Sequence, residues 1–120
     1  MESPFKLQDA YKGYTDDQDK IISPIETVQR FKERLAHVNL DILAGTERID
    51  SGRLGIPVFF SRCGRDAAAL TGTKKQMGKG ATPEQAEASA VMELAERFSF
   101  FDFINNPDNF IIDTHAKLKD

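Results

Sequence analysis

The stretch that most limits what this chain can fold into is GKGATPEQAEASAVMELAERFSFF, residues 78–101. Thr82 suits a helix N-cap, and Pro83 fits the first helical position, where its missing N–H would have had no partner anyway. Gln85 stands where a capping box wants Glu or Gln. A helix from Pro83 to Phe101 or Phe103 follows. Ala90, Val91, Leu94, Ala95 and Phe98 cover a wide arc of it, so the helix has to be buried along most of its girth. Such a helix cannot stand alone and needs other elements to cover it.

SPIETVQRFKERLAHV supplies one of them. Ser23 is a second N-cap, Pro24 a second first-turn proline, and Glu26 completes a capping box. In the helix predicted from Pro24 to Val38, Ile25, Val28, Phe31, Leu35 and Val38 recur at spacings of three and four and form one apolar stripe. The runs NLDILAGTERID and GIPVFFSRCG are rich in branched and aromatic residues and are broken by glycine and proline, which reads as strands. DAAALTG, Asp66 to Gly72, is a third strand candidate. TKKQMGKGA reads as a lysine- and glycine-rich loop, NNPDN as a turn, and FIID as one more short strand. The fold expected is α+β, with two main helices on one face of a small, mainly antiparallel sheet of three or four strands. Residues 1–20 have no period and read as a flexible arm. Residues 21–113 form the domain, and residues 114–120 are a tail or the start of a further segment.

At 120 residues the chain holds one domain, which buries roughly two thirds of the surface its unfolded form exposes. The net charge of -3 provides no basic field for nucleic acid and no polybasic surface for anionic lipid. Neither is expected as a partner. The N-terminus lacks the apolar run of a signal peptide, and no window reaches the roughly 18 apolar residues of a membrane span. Cys63 is the only cysteine, so there is no internal disulfide and no zinc spacing. A cytoplasmic setting is the simplest fit. With no His near it in the sequence, Cys63 reads as a structural thiol rather than a nucleophile.

The helix at Pro83 carries one unusual stripe. At about 100° per residue, Glu93 lies roughly 40° from Ser89, and Glu96 about 20° to the other side. Two acids three apart repel each other unless something offsets them. Magnesium is one such agent, since it prefers oxygen ligands, keeps several waters and is held by one or two carboxylates together with nucleotide phosphates. The other reading is that both acids are solvated or paired with Arg97 and lysines elsewhere. Gly78, Lys79 and Gly80 lead towards amides at the helix start that favour anions, but this is no Walker A loop. Gly72 and Gly78 leave five residues between them instead of four, and Gly80 follows Lys79 in place of Ser or Thr.

Taken together, GKGATPEQAEASAVMELAERFSFF resembles the signature of the YcaO proteins, in which a Gly-Lys-Gly-Ala-Thr run opens a helix bearing Ser-x-x-x-Glu-x-x-Glu-Arg. SPIETVQRFKERLAHVNL is similar to the first helix of that family, and GIPVFFSRC to one of its strands. The resemblance covers approximately residues 20 to 112. It implies ATP and magnesium as cofactors and a peptide or protein as substrate. ATP would activate a peptide-bond amide, and a neighbouring side chain or a sulfide would then add, giving an azoline or a thioamide. By the same resemblance Glu93 and Glu96 are the magnesium-binding acids and Ser89 contacts the nucleotide, joined by Lys20 and Thr27, which stand seven apart at the mouth of the first helix. Lys79 matches the motif without an assigned role.

The chain also departs from the pattern. Family members are several times longer, and a later region completes their ATP and metal site, so the remainder of a longer YcaO chain is an expected partner. Alone, this chain should bind ATP weakly and complete no reaction. FSFFDF reads as core, or as a surface that the remainder would cover, and a homodimer through it is a further expectation. The alternative to an enzyme part is a non-catalytic binding or structural α+β module, in which Glu93 and Glu96 are surface residues.

Overall fold

The computed structural model describes residues 6–12 and 20–119. Helix α1 spans Pro24–Val38. The Glu26 amide donates to Ser23 Oγ at 3.2 Å, as a Ser N-cap requires. The Glu26 carboxylate does not reach back to complete the box and instead accepts from Arg30 at 2.6 Å. Asn39, in the left-handed conformation, closes the other end by donating to the Leu35 carbonyl. Of the expected stripe, Val28 is buried and Phe31 and Leu35 pack on the core. Ile25 and Val38, at the two ends, remain 66% and 49% exposed.

Strand β1 is Leu43–Arg48 and β2 is Val58–Cys63, so both branched runs form strands. The next two segments exchange the roles expected of them. Asp66 to Gly72, expected as a strand, is the helix α2 at Arg65–Thr71. Its consecutive alanines favour helix, Gly72 provides a left-handed C-cap at φ 70°, and two carboxylates secure its start. Asp41 Oδ2 accepts from the Arg65 amide at 3.0 Å, and Asp66 Oδ2 accepts from the Asp41 amide at 2.7 Å. Part of the expected loop TKKQMGKGA is the strand β3, Lys75–Lys79. It carries no run of β-formers, and its place is set by pairing along β2.

The sheet has the order β1-β2-β3, antiparallel throughout. Thr46 lies opposite Ser61, Phe59 opposite Gly78, and a bulge interrupts the register between Leu43 and Gly45. Helix α3, Pro83–Asn105, begins at the expected cap and runs a little past its expected end. The Gln85 amide donates to Thr82 Oγ1 at 3.2 Å, and Gln85 Oε1 accepts from the Ala81 amide at 2.9 Å. A single 3-10 turn at Pro107–Asn109 and a short helix α4 at His115–Leu118 complete the regular structure. Residues 110–113, expected as a strand, form none and are exposed, because no strand edge is paired with them.

The fold is therefore α+β, with a three-stranded antiparallel sheet packed against helices, chiefly α3. Gly78 is buried beneath α3, and a Cβ there would meet the Ala90 amide, Ser89 C at 2.6 Å and Ala86 O at 2.7 Å. Gly80 is in the same position with respect to Gln85 and Ala86. Ser61, fully buried, donates its Oγ proton to the Ala90 carbonyl at 2.7 Å. Helix α1 packs mainly against α3 and approaches the strands at Leu43. Val91 and Leu94 are fully buried, each contributing about 1.5–3 kcal/mol of transfer free energy.

Of the arm expected at residues 1–20, residues 6–12 and Lys20 are described. They form no regular helix or strand, and Leu7 and Tyr11 are almost fully exposed. The rest of that arm, and Asp120 in the tail, lie outside the described residues.

Candidate functional site

α3 makes three sets of contacts. Ala86 and Ala90 rest on the sheet, Ala88 and Val91 meet Val28 of α1, and Leu94 meets Ala67 of α2 and Ile42 before β1. Small residues dominate where the sheet is closest, because any larger side chain would push the helix away. Ser89, Glu93 and Glu96 occupy what remains: Ser89 and Glu96 are exposed, and Glu93 is half-buried. The stripe expected at the border of the core is thus present on one continuous side of the helix.

The charges on that stripe are not equivalent. Glu93 Oε1 accepts from Arg97 Nε at 3.0 Å, one turn on, with the Glu93 side chain 33% exposed. Among the described residues, Glu96 has no cationic side chain within ion-pair distance. Arg97 therefore offsets part of the repulsion between the two acids, as the solvated or paired reading anticipates. Ser89 makes no side-chain hydrogen bond among the described residues, so its hydroxyl is available.

The two α1 residues expected to join the stripe are placed differently. Thr27 precedes Val28, the residue that meets Ala88 and Val91, so it stands on the helix adjoining the Ser89 turn. Its hydroxyl already donates to the Ser23 carbonyl at 3.0 Å. Lys20 is exposed, ahead of the helix start, and has no ion-pair partner among the described residues. Lys79 lies elsewhere. Gly78 faces α3, so its strand neighbour Lys79 faces the opposite side of the sheet, away from the stripe. The glycines flanking it are needed for the close approach of β3 and α3, which explains a Gly-x-Gly before a helix without any phosphate.

No three His, Cys, Asp or Glu side chains among the described residues converge as a metal cage. The donors on the stripe, two carboxylates and a hydroxyl, are nevertheless all oxygen, as magnesium prefers, and magnesium that keeps its waters needs only one or two protein carboxylates. They fit as one side of a nucleotide-bound metal site, provided Arg97 releases Glu93 or turns to a phosphate. A cleft of about 620 Å³ between the end of α1 and the start of α2 is lined by Lys32, Asn39, Asp41, Arg65 and Asp66 among others, and by none of the stripe residues. Both of its aspartates are occupied in holding α2.

Two other acids and the thiol were not singled out by sequence spacing as partners of anything. Asp50 accepts from Arg48 Nε at 2.8 Å and from the Val58 amide at 3.0 Å, and these bonds hold its carboxyl down to about 2. Glu87 accepts from Thr46 Oγ1 at 2.7 Å and so links α3 to β1. Cys63 is a free, half-buried thiol whose pKa is raised by burial and lowered in smaller part by Thr73. No described helix is long and apolar enough to cross a membrane.

Comparison with known proteins bears on the same helix. Residues 77–120 match the family model described as YcaO cyclodehydratase, ATP- and Mg2+-binding. The match takes in Ser89, Glu93 and Glu96 and leaves out Lys20 and Thr27. The chain is also similar to an uncharacterized protein of Methanothermobacter thermautotrophicus, with 37% identity over 78 residues. That alignment covers 65% of this chain and 19% of the relative, so the chain spans about a fifth of that protein's length. The part of the chain that matches the YcaO family model thus holds α3 and its acidic stripe.

Proposed function

We propose that this chain contributes one wall of an ATP- and magnesium-binding site in a YcaO-type protein that activates peptide amides. The observation carrying the reading is that α3, anchored through the buried Ala86, Ala88, Ala90, Val91 and Leu94, carries Ser89, Glu93 and Glu96 together on one other side, within the residues that match the family model. Glu93 and Glu96 hold magnesium, and the Ser89 hydroxyl donates to a phosphate oxygen or joins the metal. Arg97, already beside Glu93, would neutralise phosphate charge there. Thr27 on the neighbouring helix α1, and Lys20 ahead of that helix, would approach the nucleotide from the α1 side, for which Thr27 would give up its bond to Ser23.

When bound, magnesium-ATP supplies a phosphoryl group for the amide oxygen, which makes the peptide carbon open to attack by a side chain or a sulfide and leads to an azoline or a thioamide. The contribution of this chain is positional: oxygen donors and cations set around phosphates are what phosphoryl transfer draws on. The substrate is a peptide or protein, and the remainder of a longer YcaO chain supplies the other wall. A homodimer through the Phe-rich end of α3 belongs to the same proposal, with Phe100 and Phe103 each about half exposed there.

Isothermal titration of ATP with magnesium tests this. The wild-type chain should bind weakly, the Glu93→Gln, Glu96→Gln double variant at least about tenfold more weakly, and chelation of magnesium should remove the difference. Equal binding by the two proteins, or no binding to the wild type, contradicts the proposal.

A further inference from the structure

The sheet has a second face, and no described element covers it. Ser61 and Gly78 point into α3, so Val58, Phe60 and Arg62 of β2 and Lys75, Met77 and Lys79 of β3 point the other way. Lys75 Nζ stands 5.0 Å from the Phe60 ring centre, which places the two on one side. Met77 is 56% exposed, and Arg62, Lys75 and Lys79 are all exposed. Helices α1 and α2 pack against α3, and the described part of the N-terminal segment is itself exposed.

The charge on this face is opposite in sign to that of the chain. Arg62, Lys75 and Lys79 stand against one strand carboxylate, Glu47, in a protein of net charge -3. Arg62 and Lys75 are direct register partners. Like charges directly opposite each other on adjacent strands are destabilising. None of the three cations has an ion-pair partner among the described residues. At the Lys79 end the face adjoins a depression of about 360 Å³ lined by Asp50, Arg53, Leu54, Ile56, Val58 and Lys79 among others, with the Asp50 carboxylate paired to Arg48 and Leu54 84% exposed. The cations are thus interleaved with apolar groups: Phe60 and Met77 between them, Ile56 and Leu54 beside them.

We infer that this outer face is a docking surface for an extended acidic polypeptide segment that sets carboxylates against Arg62, Lys75 and Lys79 and an apolar side chain against Met77 or in the depression. Single-stranded nucleic acid fits less well. Sheet platforms for RNA stack two or three bases on free aromatic rings, whereas this face has one ring, already taken by Lys75. The surface lies across the sheet from α3 and does not depend on the nucleotide reading.

Fluorescence anisotropy with a labelled short peptide alternating Glu and Leu tests the inference, with the Gln-for-Glu peptide and an oligouridylate of equal length as the other probes. The acidic peptide should bind in a salt-dependent way, more tightly than either control. The Arg62→Gln, Lys75→Gln, Lys79→Gln variant should lose about tenfold in affinity, while circular dichroism shows the fold intact. The Glu93→Gln, Glu96→Gln variant should bind the peptide as the wild type does. No binding of the acidic peptide, equal binding by the triple variant, or tighter binding of the oligouridylate would overturn it.

Discussion

Gly78 of β3 lies directly under the backbone of Ala90 in α3, close enough that no side chain fits between strand and helix. The contact is reinforced one strand over, where Ser61 donates to the carbonyl of the same Ala90. Together these contacts set the height of α3 above the sheet and, through it, the side of the helix on which Glu93 and Glu96 emerge.

Gly78→Ala should therefore cost about 3 kcal/mol or more, because the obstacle is helix backbone and cannot rotate away. Ser61→Ala should cost about 1 kcal/mol, the net worth of one hydrogen bond. Urea denaturation of both variants checks the ranking. A Gly78→Ala chain as stable as wild type would mean that β3 and α3 are farther apart than described.

Asp50 gives a pH dependence whose sign is fixed. Its bonds from Arg48 and from the Val58 amide depress its folded-state pKa to about 2. A depressed carboxyl stabilises the fold fully above its unfolded value of about 3.9, and the contribution fades as pH falls towards the folded value. Asp50→Asn should thus be less stable than wild type at pH 6, with the gap narrowing between pH ~4 and pH ~2. Denaturation midpoints across that range measure it. A gap that stays constant would show that the charge of Asp50 is not what matters.

Glu93→Gln separates a structural role from a binding one. The Arg97 pair is a partly exposed helix pair of a kind that contributes about 0.3–0.5 kcal/mol, so thermal stability should barely move. Magnesium-dependent ATP binding should fall sharply in the same protein. A large loss of stability with binding unchanged would assign Glu93 to the fold alone.

Cys63 should react slowly with alkylating reagents at pH 8, since burial raises its pKa and only the thiolate attacks. Mild urea that loosens the β2–α2 junction should raise the rate. A reaction as fast as that of free cysteine in native buffer would contradict the packing described for this end of β2.

The two long helices were legible in the sequence because their caps are spelled out by Ser23-Pro24 and Thr82-Pro83 and their apolar spacing is local. β3 was not. Lys75–Lys79 has no alternation that marks a strand, and only its pairing with β2 and the descent of α3 onto Gly78 hold it extended. α2 was misread for the converse reason: its helix depends on Asp41, which is far from it in sequence. In the site, the shared side of Ser89, Glu93 and Glu96 follows from helical geometry alone. The pairing of Glu93 with Arg97 was one of two open readings, and the outward direction of Lys79 could not be read without knowing that Gly80 follows a strand.

The central claim is that the Ser89–Glu93–Glu96 side of α3 receives metal-bound ATP. Paramagnetic line broadening on the isotope-labelled chain with ATP and a trace of manganese, standing in for magnesium, tests it most directly. Amide signals from Ser89 to Arg97 should broaden first, and the effect should vanish in the Glu93→Gln, Glu96→Gln variant. Broadening centred instead on Asp41 and Asp66, or none on α3, would contradict the account.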